Sequence, residues 1–431
     1  VTITGVSLAI ALVWSAWQLP IAHMIQLGPL SFEISDTLTV LGRRLVLVDE
    51  ERYLLILIYL AAAFWFGGSY IAGTEKSFVP VGLIIVALMT AALAVEPFLY
   101  AALFIELTAL LCIPLLAPPG RLIGRGVVRF FTFQTLGVPF LLFSGWMLTG
   151  LQVNPDDPVL QVQAAILLAL GFSLLLAVFP FHTWMPMLAE ESHPYVTAFV
   201  LFMLPGITSL FGLSFFERYE WLRDTPGAFS LLRIAGALMT VVGGVWAIFQ
   251  NDLGRILGYA TMVETGLSFL AIGASQGVFS AKPLVLPPST LIYGIFVSRF
   301  IAMGLWALAL STLRRQKGDL SFKAVEGSGR RMPVVATCLI LAHFSIAGFP
   351  LLAGYPVHLA IWGKLASISY PIAFWSMTGS AFLLISGIRC LRILLTKNDQ
   401  GGWQINESRS ALLFLIIGAV ALVLAGFVPQ Y

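Results

Sequence analysis

Charged side chains are scarce in this 431-residue chain. Asp, Glu, Lys and Arg together make up 10% of it, against roughly a quarter of an average soluble domain. Hydrophobic residues make up 59%, and the mean hydropathy is +0.93. A water-soluble protein of this size could not cover its surface with so few charges and would aggregate through exposed apolar area. Soluble enzyme classes are excluded as its main body, and a polytopic membrane protein is implied. Cysteine is sparse too. Cys112, Cys338 and Cys390 sit singly in apolar runs, with no CxxC pair and no metal-ligand spacing, so they read as small core hydrophobes. No long stretch alternates with period two, which excludes a transmembrane β-barrel and predicts a chain without strands. With no strand there is no Gly-rich phosphate loop after one, so ATP-driven transport would need another chain. The net charge of +3 is small. Basic loops orient membrane proteins, so it implies no nucleic-acid partner.

What the chain has in quantity is apolar runs long enough to cross a bilayer, about 20 residues each. They lie near 5–28, 53–73, 78–95, 98–117, 127–150, 160–181, 194–215, 229–250, 255–274, 288–312, 333–349, 354–369, 371–395 and 410–428. The expected fold is an all-α membrane bundle of about fourteen crossings, forming one transmembrane domain over residues 1–431. Two sets, 160–215 and 333–369, are interrupted by Pro and Gly and predict broken helices. Pro180 and Pro350 each end an apolar helix and precede a segment with a histidine, His182 or His358, as in inverted repeats. The run that opens at Val1 has no basic flank and no cleavage site, so it does not read as a signal peptide. The lack of an initiator methionine points to missing N-terminal residues.

The basic loops set the orientation. The segment 313–332 carries Arg314, Arg315, Lys317, Lys323, Arg330 and Arg331, and fits a basic loop or a short surface helix. Arg121 and Arg125 lie in the 118–126 connection. Counting crossings puts both segments on one face, the cytoplasmic one or its equivalent. The other face receives Asn154, Asp156, Asp157 and the 43–52 segment, where three arginines balance three acids.

A charge in hydrocarbon costs on the order of 2.5–3.5 kcal/mol even on the lenient insertion scale, so each one needs a reason. Glu106, Glu264, Arg299, His343, His358, Lys364 and Arg389 lie within the runs, with Glu96, His182 and Asp252 near their ends. Glu106, mid-run in AALFIELTALLCIP, fits either a carboxylate that takes up and releases protons or a fixed ion pair between helices. His182 lies where Pro180, Pro186 and Pro194 interrupt the chain. It is either a proton-passing imidazole or part of an interfacial His–Trp belt with Trp184. Arg299 has apolar turns on both sides and no end to snorkel to, and arginine does not deprotonate. Glu264 is its natural partner, as a structural clamp or as part of a relay. Haem between His343 and His358 would need them on facing helices, whereas they flank a Gly/Pro break.

At these residues the chain resembles the antiporter-like membrane subunits of proton-pumping NADH:quinone oxidoreductase (complex I), a family shared with Mrp-type sodium/proton antiporters. Four motifs over roughly residues 40–390 carry the resemblance: FIELTALLC with Glu106, FPFHTWMP followed by EESHPYVTAFV, NDLGRILGYAT, and GFPLLAGY. The resemblance implies a proton path of buried charges across the membrane midplane. Carried over residue by residue, its glutamate is Glu106. A lysine before the first broken helix is Leu175 here, and the lysine of the Asp-Leu-Lys-Arg segment is Gly254, with Asp252 and Arg255 kept. Later positions of the path fall at Glu264, Arg299 and His358, while Lys364 is six residues beyond the last and on another helix face.

The implied site is therefore Glu106, Glu264, Arg299 and His358, with His182, Asp252, Arg255 and His343 as secondary members. The implied function is a proton-translocating subunit of a complex I-type translocase in a bacterial cytoplasmic membrane, with thylakoid and mitochondrial inner membranes as alternatives. The chain itself would hold no cofactor, redox centre or metal. NADH, FMN, iron–sulfur clusters and quinone would belong to partner membrane and peripheral subunits. The competing readings are a sodium/proton exchanger of the Mrp type and a non-pumping structural subunit that keeps the fold, the latter drawn from Leu175 and Gly254.

Overall fold

A computed structural model of the chain describes residues 1–18, 23–27, 30–34, 37–40, 42–46, 52–118, 120, 123–154, 157–276, 288–396 and 407–427. It opens with α1 (Thr2–Trp17), then a hairpin of β1 (His23–Leu27) and β2 (Leu30–Ile34) and a pair of strands, β3 (Thr37–Val40) and β4 (Arg43–Val46). Next come α2 (Arg52–Ala72), α3 (Phe78–Ala94), the two-residue β5 (Val95–Glu96), α4 (Ala101–Leu116) and α5 (Arg125–Val153). The middle of the chain holds α6 (Pro158–Leu175), α7 (Trp184–Glu191), α8 (Pro194–Arg218), the short α9 (Glu220–Asp224), α10 (Pro226–Phe249) and α11 (Leu253–Gly273). The remainder is α12 (Pro288–Lys317), the single turn α13 (Phe322–Val325), α14 (Pro333–Ile346), α15 (Gly354–Ile368), α16 (Tyr370–Leu395) and α17 (Arg409–Phe427).

Among the described residues ten helices are long and apolar enough to cross a membrane. They are apolar all round rather than amphipathic, as expected of helices surrounded by lipid or by other helices. α8 and α11 form the centre, with 94% of their apolar windows covered by protein, whereas α17 has 22% covered and lies at the rim. Helix starts are encoded locally. Proline occupies the first turn of α6, α8, α10, α14 and α16, where its missing N–H costs nothing. Asp157 caps α6 by accepting from Val159 N at 2.9 Å, and Asp252 caps α11 by accepting from Arg255 N at 2.9 Å.

The expectation of a strand-free chain is corrected. β1 pairs with β2, and β3, β4 and β5 form an antiparallel sheet in which Arg44 lies opposite Glu96. Helix α1 stops at Trp17, ahead of the proline at position 20, and residues 23–27 enter a strand rather than prolonging the span. Segments of four or five residues are too short to show a period-two signal above the surrounding apolar runs.

Both predicted breaks exist, and each lies within a single traverse of the bundle. Helix α5 runs antiparallel to α6 and then to α7: Gln134 reaches the carbonyl of Leu175, and Gly126 N reaches Glu191. Helix α16 does the same beside α15 and α14, with Trp362 bonded to Ser376 at 3.2 Å and His343 to the carbonyl of Leu383 at 3.0 Å. The runs 333–349 and 354–369 are thus two halves of one broken helix. Each first half closes with a residue in left-handed conformation, Ala177 (φ 54°) or Gly348 (φ 76°). The following N–H bonds five residues back, Val178 to Ser173 and Phe349 to Phe344, both at 2.9 Å. The two broken helices run in opposite senses, as an inverted repeat requires.

Hydrogen bonds also place the loops. Arg314 donates to the carbonyl of Ser192, Arg315 donates to that of Ile71, and Glu191 accepts from Gly126 N. The 313–332 segment and the start of α5 therefore share one end of the bundle, as the crossing count requires. Asn154, Asp157 and β4 lie at the other end. Arg121, Asp156 and residues 47–51 lie outside the described residues. The basic segment itself comprises the end of α12, α13 and a 3-10 turn over Ser328–Arg330.

Candidate functional site

The centre of the site is a buried ion pair. Glu264 on α11 is 2% exposed and Arg299 on α12 is 1% exposed. Arg299 Nε donates to Glu264 Oε2 at 3.1 Å, and Nη2 donates to the Glu264 carbonyl at 2.7 Å and to Ser268 Oγ at 3.0 Å. The planar fork of guanidinium donors thus meets a carboxylate, a backbone carbonyl and a hydroxyl at once, in a geometry that a lysine ammonium does not reproduce. Buried charges persist only when paired and hydrogen-bonded, and this pair meets that condition. The isolation of both residues in apolar runs anticipated it.

His358 lies on α15, in its second turn after the break, and is 2% exposed. Its Nδ1 is 2.8 Å from the carbonyl of Gly354, and its Nε2 is buried with no hydrogen-bond partner among the described residues. Helix α15 packs against both α11 and α12, the helices that carry Glu264 and Arg299. The backbone of the break covers the ring. A Cβ at Gly348 would meet the imidazole at 2.7 Å, and its φ is positive, so only glycine fits there. Glu264, Arg299 and His358 therefore form one cluster beneath the second break. His343, fully buried on α14, stacks on Trp306 at 4.5 Å and pairs through Nε2 with Leu383 O at 3.0 Å. Its Nδ1 is buried without a partner. No hydrogen bond or ring contact joins His343 to His358.

The remaining predicted residues are placed elsewhere. Glu106 is half-buried on the outer flank of α4, beside the exposed Leu103, Leu107 and Leu110. Among the described residues its carboxylate has neither an ion pair nor a hydrogen bond. His182 occupies the 3-10 turn of the first break, stacked on Phe179 with ring centroids 5.5 Å apart and 6.4 Å from the ring of Tyr259. Its Nδ1 is likewise buried without a partner. Leu175, where the resemblance has a lysine, is buried at the end of α6.

Asp252 and Arg255 belong to the basic end, not to the cluster. Arg255 Nε binds Glu190 Oε2 at 2.7 Å, with both side chains more than a third exposed. Asp252 bridges to Ser321 in the basic segment, where Phe322 N bonds Asn251 O at 2.8 Å. Burial raises the Asp252 carboxyl above its ordinary value, helped by the charges of Glu190 and Asp319 and opposed by the bond from Arg255 N. Asp319 is held low, chiefly by a hydrogen bond from the Ser321 side chain. Arg389 donates to Gln250 O and Asn251 Oδ1, both at 3.2 Å, so it too is a tie at this end. Lys364 is half-buried, off the cluster. Gly254 is forced by packing: a Cβ there would collide with the carbonyl of Ala189 on α7, so no lysine could occupy the position without moving that helix.

Sequence reasoning missed Ser268, Gln134 and Arg233. Ser268 was detectable as a hydroxyl one helical turn after Glu264. Arg233 is buried on α10 and donates to the carbonyl of Gly273 at 2.8 Å, satisfying the end of α11. Its signal was a lone arginine in an apolar run. Among the described residues no group of three or more His, Cys, Asp or Glu side chains could hold a metal ion.

Comparison with known proteins follows the same lines. Residues 128–386 match the family described as NADH:quinone oxidoreductase/Mrp antiporter, transmembrane. NADH-quinone oxidoreductase subunit 13 of Thermus thermophilus is 28% identical over 390 residues, which is 85% of this chain and 78% of that protein. A subunit N 2 from Acidobacterium capsulatum is 25% identical over 72% of this chain, and the match spans 66% of its own length. Among solved structures, a chain of the archaeal membrane-bound sulfane sulfur reductase superposes with a TM-score of 0.81 at 16% identity, over 100% of this chain and 88% of that one. At 15% identity, a chain of the Mrp complex from Dietzia sp. DQ12-45-1b gives 0.79 over 99% of this chain and 88% of that one. The matched family covers the broken helices, the Glu264–Arg299 pair and His358 together, and the chain belongs to this family of multi-pass membrane proteins, the NADH:quinone oxidoreductase/Mrp antiporter transmembrane family.

Proposed function

We propose that this chain is a proton-translocating, antiporter-like membrane subunit of a complex I-type NADH:quinone oxidoreductase in a bacterial membrane. Electron transfer would occur in its partner subunits, with no redox centre in this chain. The observation that carries the reading is the buried Glu264–Arg299 pair, with His358 on a helix packed against both of theirs. Arg299 holds a permanent positive charge. Its carboxylate partner is therefore the group whose allegiance can change. While Arg299 holds Glu264, the cluster is neutral with a neutral His358. If Arg299 withdraws toward Ser268 and the Glu264 carbonyl, both of which it already contacts, the freed carboxylate stabilises a proton on His358. Partner subunits would drive this exchange by moving α11 against α12. The unpartnered Nε2 of His358 is where that proton would bind.

The test is proton transport by the complex, purified from its own membranes and returned to vesicles, with a pH-sensitive dye as readout. Glu264→Gln and His358→Gln are expected to assemble normally and lose proton transport coupled to electron transfer. Retention of full coupling by both variants would overturn the proposal in favour of a structural subunit. Transport that requires sodium in place of a redox donor would point to the exchanger.

A further inference from the structure

We infer that protons cross this chain by one route only, through the second broken helix, and that the first broken helix is a dry strut. This rests on the proton-carrying function proposed above and assigns it to one half of the fold.

The first broken helix is closed by packing at the position that decides conduction. The end of α6 lies backbone to backbone against α5. A Cβ at Gly137 would meet Leu175 Cγ at 2.8 Å, and a Cβ at Gly171 would meet Leu141 at 2.8 Å. Each glycine thus receives a leucine from the opposite helix. A zipper this tight leaves no space for water, and its apolar lining would not hold one. Three polar side chains of this half are already bonded. Gln134, 1% exposed, donates its amide to Leu175 O at 3.0 Å. Thr108 and Ser144 bond to carbonyls of their own helices. Glu106 and His182, the two candidate proton carriers of this half, share no contact, and the Glu106 carboxylate has no hydrogen-bond or ion-pair partner among the described residues.

The first break is also immobilised. Three successive residues at the end of α7 are tied to three different helices: Glu190 to Arg255 on α11, Glu191 to Gly126 N on α5, and the carbonyl of Ser192 to Arg314 on α12. Helix α11 rests directly on α7, where a Cβ at Gly258 would lie 2.5 Å from Pro186 Cα. A half-helix held in this way cannot swing to admit water.

The second break is closely packed too, but it is not tied by charge in this way. Among the described residues no ion pair joins α15 to a neighbour. Two residues of the break, Gly348 and Leu351, adopt left-handed conformations, the latter a non-glycine at φ 70°. Phe349 and Leu351 are 42% and 57% exposed, so this break reaches the surface of the chain, as the first does at Phe179. Beneath it lie the titratable Glu264 and His358, with the unpartnered Nε2. Backbone strain beside an unsatisfied polar atom is common to both breaks, at Ala177 (φ 54°) with His182 Nδ1 and at Leu351 with His358 Nε2. The second differs in that no ion pair among the described residues holds it and that an acid and a histidine lie together beneath it.

The test uses the intact complex in vesicles, with assembly checked on native gels. Glu106→Gln and His182→Gln are expected to acidify the vesicles at the wild-type rate per electron transferred, while Glu264→Gln and His358→Gln fall to the uncoupled background. Loss of transport in assembled Glu106→Gln or His182→Gln would overturn the single route but leave the proton-carrying function standing. Retention by all four variants would overturn that function and the inference with it. A second measurement is independent of transport. With Cys112, Cys338 and Cys390 buried, a small charged thiol reagent should label His358→Cys during turnover and leave Leu175→Cys unreacted. Labelling of Leu175→Cys would refute the dry strut.

Discussion

Replacing Arg299 by methionine strands the Glu264 carboxylate in the bundle core, and the size of the penalty identifies what the pair contributes. Three hydrogen bonds disappear, to Glu264 Oε2, Glu264 O and Ser268 Oγ. Hydrogen bonds inside membrane bundles average about 0.6 kcal/mol each, so their loss alone amounts to about 2 kcal/mol. Breaking a buried pair by removing one partner costs more, about 3–5 kcal/mol, because the remaining charge is uncompensated. Removing both charges, Glu264→Leu with Arg299→Met, relieves that term and is expected to return the protein close to wild-type stability. The buried thiols supply the assay: a fluorogenic thiol reagent reports unfolding of the detergent-solubilised complex as temperature rises. The single variant should melt lowest, Arg299→Lys should lie between it and the wild type, and the double variant should recover. If Arg299→Met melts like the wild type, the pair is solvated and the cluster is not the low-dielectric site argued above. If the double variant is as unstable as the single one, Arg299 acts by packing, and charge is not the explanation.

Two further outcomes follow from the basic end. Gly254→Lys, which introduces the lysine that the motif resemblance implies at this position, is expected to reduce assembly on native gels, because even a Cβ collides with Ala189. Normal assembly with wild-type transport would show that α7 moves more easily than its ties imply. Asp252 and Asp319 should shape the acid limb of stability in opposite senses. The Asp252 carboxyl is raised by burial, so its contribution is full below the ordinary value near 3.8 and is lost as pH rises through its folded value. Asp252→Asn keeps the helix cap and should raise the melting midpoint at neutral pH relative to acid. The lowered Asp319 contributes above the ordinary value and loses that contribution as pH falls through its folded value, so Asp319→Asn should destabilise only on the neutral side. Melting midpoints between about pH 3 and pH 8 check both signs.

Much of the architecture was legible in the residues themselves. The hydrocarbon requirement acts on every window of about 20 residues independently, so the spans, the two breaks at Pro180 and Pro350 and the shared end of the basic loops could be read without contacts. The strands at 23–46 could not, because such short segments carry little periodic signal and pair only through neighbours. The candidate site divided in the same way. The scarcity of intramembrane charge singled out Glu264, Arg299 and His358, since the cost of burying a charge belongs to the residue alone. Motif order likewise marked Asp252 and Arg255, but only packing showed them to be ties at the basic end.

The sequence by itself determined that this protein is a helical membrane bundle with two broken helices and a handful of buried charges, because those properties depend on hydrophobicity and backbone chemistry within one helix length. Only the tertiary structure decided which charges meet. Glu264 and Arg299 are 35 residues apart, Leu175 closes on a glycine of the preceding helix, and Glu106 has no partner among the described residues. Those outcomes depend on which helix faces come together across the bundle, and in an interior apolar on every side no hydrophobic periodicity records that choice.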